Sequence, residues 1–371
     1  MAIHVQPDVT ERVRRGATPP AEWYTSDEVF RAEREFVFRR NWVCVGHVND
    51  VAETGAFFTT EVAGEPVVVT RAQDGELRAF LNICRHRCSK VVLEKSGRRR
   101  TLQCHYHAWT YNLDGTLRSA PRFDRQPGFD REQLGLGTVG VGEFAGFIFV
   151  NLDPAADPLS TFLGPLPDIL AQSGVDPGSL VFERRIEYDI DANWKIVVEN
   201  YLECYHCPVA HRALVGLIDV DRYQLTGYEH VSQQFVPAAE NGTSGRDFYD
   251  KGATVQNGSY SLLWPDFMML FQPGPAHLNV MYTRPVSADR TVLHSDFYFP
   301  AGTAQTEECT ALVEFIDLVQ SEDKVLCESV QEGLSSSTAP VGYTMTHAGE
   351  ELVNHFHLMV CRAFAEAGLA D

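Results

Sequence analysis

The stretch CRHRCSKVVLEKSGRRRTLQCHYH, residues 84–107, holds three cysteines and three histidines within 24 residues and decides the fold of the first half of the chain. Two short segments within it, Cys84-x-His86 and Cys104-x2-His107, each offer one thiolate and one imidazole. Zinc sites usually take two cysteines from one segment and two histidines from another. In a [2Fe-2S] cluster, two cysteines can bind one iron and two histidines the other. The mixed segments therefore favour the cluster, and structural zinc stays open as the alternative.

The same stretch is followed by the aromatic residues Trp109 and Tyr111 and by a turn, and the whole resembles the Rieske domain pattern. The resemblance implies four cluster ligands, which are Cys84, His86, Cys104 and His107. Cys88 stands where the oxygenase branch of this family usually has a glycine, and we expect it to pack as a small buried thiol.

Composition limits the classes of function. The chain has 371 residues, of which 44% are hydrophobic, which indicates a folded enzyme of more than one domain. A formal charge of -19 disfavours nucleic acid and anionic membranes as partners. We find no signal peptide pattern and no apolar run long enough to span a membrane, so we expect a cytosolic protein. In the cytosol, the nine cysteines favour thiols and metal ligands over disulfides.

The pattern of apolar residues predicts an α+β protein. A capping box at Thr25 and Glu28 predicts one helix over residues 25–40, and short alternating runs from Trp42 to about Asp153 predict a small all-β module. After a Pro- and Gly-rich connection, we expect several antiparallel strands and three helices, at about Asn193–Tyr205, Glu307–Leu334 and Glu350–Ala367.

A second group of candidate ligands lies in NWKIVVENYLECYHCPVAH, residues 193–211. On one continuous helix, Glu199, Glu203 and His206 would share a face, and a kink at Pro208 would turn His211 toward the same point. Cys204 and Cys207 also flank His206 in a C-x2-C spacing. No second such pair completes a zinc site, so we expect these two cysteines to serve in packing.

This segment resembles the catalytic helix of Rieske non-haem iron oxygenases. The resemblance implies that His206 and His211 bind a mononuclear iron, for which such enzymes use two histidines and one carboxylate. The family takes the carboxylate from a later helix, and SEDKVLCESVQEG, residues 321–333, fits with Asp323, while Glu322 competes for the role.

The resemblance also implies the organisation of the whole protein. It predicts an N-terminal helical segment over residues 1–41 that packs on the catalytic domain, a Rieske domain over 42–155 and a helix-grip-like catalytic domain over 156–371. Catalytic roles fall to Asn200 and Glu203. In the family, the acid matched by Glu203 joins the iron-binding histidine to the cluster histidine of a neighbouring subunit, here His107, within a head-to-tail homotrimer.

The predicted function is that of a terminal oxygenase that uses dioxygen and NADH-derived electrons. The chain has no nucleotide-binding fingerprint, so a separate flavin and iron-sulfur reductase or a ferredoxin must supply the electrons. The small-molecule substrate stays open between an aromatic acid or ring and a methylated amine of the choline, betaine or carnitine type, as does the choice between monooxygenase and dioxygenase. A Rieske ferredoxin would leave residues 180–371 without a purpose, and a zinc-stabilised binding protein is the non-enzyme alternative.

Aromatic residues in SYSLLWPDFMMLF, residues 259–271, are candidates for the substrate pocket. They could form a cage for a cation or a slot for a ring, and they could equally be sheet core. The candidates are Tyr260, Trp264, Phe267, Met268 and Phe271. Of these, we predict that Trp264, Phe267 and Phe271 bind the substrate.

Overall fold

The structure is a computed structural model and describes residues 8–239, 252–368 and 370. Its contacts divide the chain into two compact units, one formed by Phe38–Phe162 and one by Met1–Val37 together with Leu163–Asp371. The boundaries expected from the sequence fall after residues 41 and 155. No helix in the described ranges is both long and apolar enough to cross a membrane.

The described residues form seventeen strands and ten α-helices. The strands are β1 (Val43–His47), β2 (Ala56–Val62), β3 (Glu65–Arg71), β4 (Leu77–Leu81), β5 (Ser96–Arg98), β6 (Leu102–Gln103), β7 (Thr110–Tyr111), β8 (Leu117–Ser119), β9 (Thr138–Phe144), β10 (Phe147–Asn151), β11 (Leu180–Ile190), β12 (Gln224–Gly227), β13 (Val231–Pro237), β14 (Asn257–Leu263), β15 (Phe267–Phe271), β16 (Leu278–Ser287) and β17 (Arg290–Pro300). The helices are α1 (Val9–Arg14), α2 (Glu22–Thr25), α3 (Asp27–Glu33), α4 (Leu159–Phe162), α5 (Leu166–Ala171), α6 (Trp194–Tyr201), α7 (Cys207–Ala210), α8 (Arg212–Val215), α9 (Glu307–Leu334) and α10 (Glu351–Glu366).

The smaller unit is almost entirely β-structure, as the sequence predicts. One antiparallel sheet has the order β1-β10-β9-β4-β3-β2-β5, and a three-stranded meander has the order β6-β7-β8. A buried cluster that includes Phe57, Phe80 and Trp109 surrounds Cys84 and Cys104. The hydrophobic core of this unit therefore encloses both cysteines.

The larger unit is built on one antiparallel sheet of seven strands in the order β11-β17-β16-β15-β14-β13-β12. Helix α9 contacts β11 and α6, and α10 contacts β12 and α1. Helix α9 begins after Thr306, whose side chain accepts a hydrogen bond from the backbone N–H of Cys309 at 3.3 Å. Two acids in its first turn add a favourable interaction with the helix dipole.

Two predicted helices are shorter than the sequence suggests. The first is capped by Ser26 rather than Thr25, because the Ser26 hydroxyl accepts hydrogen bonds from the N–H groups of Glu28 and Val29. After Glu33 it continues only as a wider π-helical turn, Arg34–Phe38. The helix expected over Asn193–Tyr205 begins as predicted, with Asn193 as its cap, but ends at Tyr201.

A buried ion pair fixes α6 to the N-terminal helices. Lys195 and Glu33 are both fully buried and bond directly, and the Lys195 ammonium also donates to the carbonyl of Trp23 at 2.8 Å. The indole N–H of Trp194 donates to the second oxygen of Glu33 at 2.9 Å. These bonds compensate for burying both charges and set the position of α6, which leads directly into the candidate iron site.

Candidate metal centres and substrate cavity

Two loops of the smaller unit carry the predicted cluster ligands and share one backbone shape. In the first, the N–H of Cys88 donates to the carbonyl of Cys84, and in the second, the N–H of Ala108 donates to that of Cys104, both at 3.0 Å. Each loop closes with a residue at positive φ, 55° at Cys88 and 59° at Ala108. The repeated turn presents one cysteine and one histidine from each loop.

The four side chains are arranged with sulfur inside and imidazole outside. Cys84 and Cys104 are buried next to each other, whereas the rings of His86 and His107 meet toward the surface with centroids 4.5 Å apart. Burial raises the pKa of the Cys84 thiol, so a cation is needed to hold it as a thiolate. These donors fit an iron-sulfur cluster that is bound by the cysteines on its buried side and by the histidines on its exposed side.

The cluster is a better fit than zinc. Among the described residues, the one group of His, Cys, Asp and Glu donor atoms lying within 4.8 Å of one another is His206, His211 and Asp323. The ligands of a single zinc ion would also meet such a limit, because they bind at about 2.0 to 2.3 Å. Cys84, His86, Cys104 and His107 are spread more widely, as the ligands of two irons must be.

The expectation for Cys88 is wrong. The side chain is exposed, because the residue closes the first loop in the left-handed region with φ of 55°. That conformation is easiest for glycine, which explains why a glycine is the usual residue there and why the thiol points away from the core.

The larger unit brings His206, His211 and Asp323 to one point, as the resemblance implies. The two Nε2 atoms lie 3.0 Å apart, and Asp323 Oδ1 lies 2.9 Å from that of His211 and 3.3 Å from that of His206. With bonds of about 2.1 Å, neighbouring donors are separated by about 3.0 Å on an octahedral face and by about 3.4 Å in a tetrahedron. Two of the three distances match an octahedral face and the third lies nearer the tetrahedral value, so all three donors can reach one ion, and two histidines with one carboxylate are the set that non-haem Fe(II) enzymes use.

Separate elements, rather than one helix, position these ligands. Helix α6 ends at Tyr201, and the Glu203 carboxylate then accepts from the N–H groups of Tyr205 and His206, which turns the chain before α7. The predicted shared face of Glu199, Glu203 and His206 is therefore wrong. Glu199 instead accepts a hydrogen bond from the Tyr24 hydroxyl at 2.8 Å.

Carboxylates hold the far side of both histidine rings. Glu203 Oε1 bonds Nδ1 of His206, and Glu322 Oε2 lies 2.8 Å from Nδ1 of His211. Such outer partners orient metal-binding imidazoles and fix which nitrogen faces the metal. Sequence reasoning treated Glu322 only as a rival ligand and missed this role, although its position beside Asp323 was the signal. Asn200, the other predicted catalytic residue, donates from Nδ2 to Asp323 Oδ1 at 3.1 Å.

The electrostatics of this group favour a positive charge. Burial by itself lowers the pKa of His206, but hydrogen bonds to Asp323 and Glu203 raise it to about 9. The pKa of His211 is also raised, despite burial, by Asp323 and Glu322. A divalent cation meets the same demand by replacing the imidazole protons.

Cys204 and Cys207 do more than pack. They form a disulfide, contrary to the expectation of free thiols, because the turn that begins α7 brings residues at this spacing together. Both residues line a cavity beside His206 and His211.

A cavity opens beside His206, His211 and Asp323. It encloses about 680 Å³, part of which is open to solvent. Its other walls come from α6, α8, α9, the sheet and the residue before β12. The lining residues include Tyr201, Leu214, Tyr223, Tyr260, Met268, Leu270, Gln272, Met281, Leu293, Ile316 and Gln320.

The predicted substrate contacts Trp264, Phe267 and Phe271 are not among the residues that line this cavity. Trp264 packs against Phe356 and Trp194, with ring centroids 5.5 and 6.3 Å away. Phe267 and Phe271 alternate along β15 with Met268 and Leu270, which do line the cavity. Since β15 is buried throughout, its sequence carried no polar alternation to show which face meets the cavity.

Comparison with known proteins agrees with both centres. Residues 41–130 match the Rieske [2Fe-2S] domain, and residues 177–366 match the catalytic domain of ring-hydroxylating α subunits. The chain is 35% identical to the carnitine monooxygenase oxygenase subunit of Acinetobacter pittii, over 86% of this chain and 85% of that protein. It is 32% identical to the chloroplastic choline monooxygenase of Arabidopsis thaliana, over 94% and 83% of the two chains.

Solved structures give the same result. A quaternary ammonium Rieske monooxygenase aligns with a TM-score of 0.85 and 32% identity, over 98% of this chain and 100% of that one. A naphthalene 1,2-dioxygenase from Rhodococcus aligns with a TM-score of 0.80 at 19% identity, over 98% and 100%, which shows a shared fold.

Fold and site define an iron-dependent oxidoreductase with a Rieske domain and an antiparallel-sheet catalytic domain. The chain belongs to the family of Rieske oxygenase α subunits. Members of this family are enzymes, so neither a zinc-stabilised binding protein nor a small electron carrier accounts for the chain. Membership also supports a Rieske cluster and a non-haem iron as its cofactors.

Proposed function

We propose that this protein is the oxygenase subunit of a multicomponent monooxygenase that oxidises a quaternary ammonium compound. The observation that carries the proposal is a cavity walled by tyrosine rings beside the candidate iron ligands. The similarity to carnitine and choline monooxygenases, over most of each chain, supports the same substrate class.

The three tyrosines of the cavity suit a cation. The Tyr201 hydroxyl donates to the carbonyls of Ser261 and Met269, and the Tyr260 hydroxyl donates to Gln272, so the bonded groups face the protein. Burial raises the pKa of all three tyrosines, Tyr223 included, and keeps them neutral. Neutral aromatic faces attract an alkylated ammonium group without the desolvation cost of an ion pair.

Seven residues would hold the two metal groups. Cys84, His86, Cys104 and His107 suit the cluster, and His206, His211 and Asp323 suit the mononuclear iron. When bound, the cluster would supply single electrons and the mononuclear iron would activate dioxygen beside the substrate.

The remaining residues of the site prepare it for this chemistry. Glu203 and Glu322 keep the Nδ1 protons of the two histidines, so each Nε2 lone pair points to the metal position. Asn200 holds the Asp323 carboxylate in place through Oδ1. Leu214, Leu293 and Ile316, among the apolar walls, limit the water that reaches the site.

Electrons would come from NADH through a separate reductase and would cross between subunits of a homotrimer. In this arrangement, Glu203 of one subunit faces His107 of its neighbour. Inter-subunit electron transfer is described for the quaternary ammonium monooxygenase that resembles this chain. Tyr205 and Val209, next to His206, are 66% and 86% exposed in the single chain, as expected for a surface that a neighbour covers.

The test is turnover with NADH, a Rieske-type reductase and isotopically labelled dioxygen. We expect one labelled oxygen atom in the product of a trimethylammonium substrate, with the second atom reduced to water by the two electrons of NADH. Benzoate and naphthalene serve as the aromatic comparison. Two labelled hydroxyl groups on an aromatic ring, with no oxidation of any methylated amine, would contradict the proposal.

A further inference from the structure

Gln320 is a buried polar side chain of the cavity that the site described so far does not use. It lies on α9 one turn before Asp323, so both residues face the cavity. The residue is only 8% exposed, and the described part of the chain offers its amide no hydrogen-bonding partner. Because Gln320 lines the cavity, a group of a bound ligand can supply the hydrogen-bonding partner that the described residues do not.

Gln272 presents a second amide from the sheet. Its Oε1 accepts the Tyr260 hydroxyl hydrogen bond at 2.7 Å, and its backbone N–H donates to Nε2 of His277 at 3.2 Å. Nδ1 of His277 in turn donates to the carbonyl of Pro275 at 2.8 Å, which fixes the ring. The side chain is therefore held, and within the described residues its Nε2 donor has no acceptor.

The charges around these amides are unfavourable for an anion. Among the described residues that line the cavity, none is a lysine or an arginine. The charged side chains among these residues are the carboxylates Glu203 and Asp323, and the two histidines would be neutral as iron ligands. A substrate carboxylate would lose its hydration without gaining a cationic side chain as a partner.

We propose that Gln320 binds an uncharged hydroxyl group of the substrate, so that the enzyme prefers quaternary ammonium alcohols to quaternary ammonium carboxylates. The inference rests on the proposed function and narrows its substrate class. A carboxamide both donates and accepts, so a hydroxyl can either accept from its N–H or donate to its oxygen, whereas a carboxylate can only accept. The tyrosine faces bind the ammonium end, and Gln272 is the second polar group within the cavity.

The first experiment compares matched substrates on the complete enzyme with its reductase. One pair is (2-hydroxyethyl)trimethylammonium and carboxymethyl-trimethylammonium, and the second is (3-hydroxypropyl)trimethylammonium and (2-carboxyethyl)trimethylammonium. We expect kcat/KM to be at least about tenfold higher for the alcohol in one or both pairs, with neither carboxylate preferred.

The second experiment measures binding, independently of turnover, by titration calorimetry. Gln320→Leu should raise the dissociation constant of the alcohol by about five- to tenfold, the range expected for one neutral hydrogen bond. Ethyltrimethylammonium, which lacks the hydroxyl, should bind the variant as it binds the wild type. The control is Gln305→Leu, an exposed glutamine bonded to Glu183 outside the cavity, which should change neither value.

The outcomes separate this inference from the proposed function. Equal or better oxidation of the carboxylates would overturn the inference and leave a quaternary ammonium monooxygenase. Weaker binding of both compounds to Gln320→Leu, with iron content and cluster absorption unchanged, would mean that Gln320 only shapes the cavity and would overturn its role. Failure to bind or oxidise any quaternary ammonium compound would overturn the proposed function and this inference together.

Discussion

At the scale of single residues, the candidate iron site depends on pairs of a histidine and an acid. Each imidazole uses Nδ1 for a carboxylate, Glu203 or Glu322, and thereby presents Nε2 toward Asp323. Adjacent acids on one helix thus divide two tasks, since Asp323 supplies a ligand atom and Glu322 orients a ligand. The division follows from geometry, because consecutive helical residues point in different directions.

Glu322→Gln tests the orienting role. Glutamine keeps the length of the side chain but removes the negative charge beside His211, so we expect the affinity for Fe(II) to fall by about 10- to 100-fold. The measurement is iron content after competition with a graded series of chelators. Glu314→Gln, which changes an exposed acid on the same helix, is the matched control and should retain wild-type affinity. If Glu322→Gln keeps the wild-type affinity for Fe(II), the Glu322 carboxylate does not orient His211.

The residue types of the metal ligands were predictable from the sequence. The hydrogen-bonding partners of those ligands and the exposure of individual side chains were not. Thiolates and imidazoles in two repeated segments restrict the possible metal groups, and His206, His211 and Asp323 follow from a family pattern. Nothing local in the sequence shows that Cys88 has a positive φ, that Cys204 and Cys207 are bonded or that Gln320 has no hydrogen-bonding partner among the described residues. Each of these properties depends on the path of the backbone or on neighbours distant in sequence.

At the scale of elements, helix ends were predicted where the sequence carries a capping pattern and missed where a side chain binds the backbone in place of the helix. Helix α9 has the expected bounds, because Thr306 and the acids that follow it form an N-terminal signal. Helix α6 stops early because the Glu203 carboxylate captures the next backbone N–H groups. Strand β15 was recognisable as a strand, but a strand buried on both faces does not reveal which side meets a cavity.

The turn between β14 and β15 contains a buried acid that makes stability depend on pH. Burial raises the pKa of Asp266 to about 7, although Thr283 donates a hydrogen bond to it at 2.7 Å. In the unfolded chain the group ionises near its ordinary pKa of 3.8. Between these values the folded protein holds the proton that the unfolded chain has lost, so this group's contribution to stability decreases as pH rises through 7.

Asp266→Asn removes this dependence. We expect the effect of the substitution on the free energy of unfolding to be about 2.5 kcal/mol more stabilising at pH 8 than at pH 5. The measurement is urea denaturation at the two pH values. Asp221→Asn, at an exposed position, is the control and should show the same difference as the wild type. A substitution effect of equal size at both pH values would refute ionisation of Asp266 as the cause.

The buried pair between α3 and α6 should matter more than an exposed pair of similar geometry. Lys195→Met leaves the Glu33 carboxyl group buried without its cation, so we expect a loss of about 3 to 5 kcal/mol in the free energy of unfolding. Arg290→Met removes a bond of 2.6 Å to Asp189, in which the two side chains are 48% and 54% exposed. Solvent and salt screen that pair, so its loss should hardly move the denaturation midpoint. If Lys195→Met and Arg290→Met lower the free energy of unfolding equally, the buried pair does not contribute more to stability than the exposed one.

At the scale of the whole molecule, each compact unit carries one complete ligand set. Cys84, His86, Cys104 and His107 all lie in Phe38–Phe162, and His206, His211 and Asp323 lie in the other unit. Loss of one metal group should therefore leave the other intact. Under the proposed trimer, a subunit that has lost one centre can still cooperate with a neighbour that retains it.

Mixed oligomers of two inactive variants test this arrangement. Cys84→Ser should lose the cluster, Asp323→Ala should lose the mononuclear iron, and each should be inactive alone. In a head-to-tail trimer containing both variants, one contact joins an intact cluster to an intact iron site, so we expect about one third of wild-type activity per trimer. The measurement is turnover of oligomers purified through two different affinity tags. An inactive mixture would show that electrons stay within one subunit.

Adding Glu203→Gln to either partner of the mixture shows which subunit supplies the connecting acid. Placed in the Cys84→Ser subunit, which keeps the working iron, it should abolish the restored activity because His206 then lacks its carboxylate. In the Asp323→Ala subunit, which contributes only the cluster, the same substitution should leave that activity unchanged. Equal losses in both placements would mean that Glu203 supports assembly rather than the contact between the two centres.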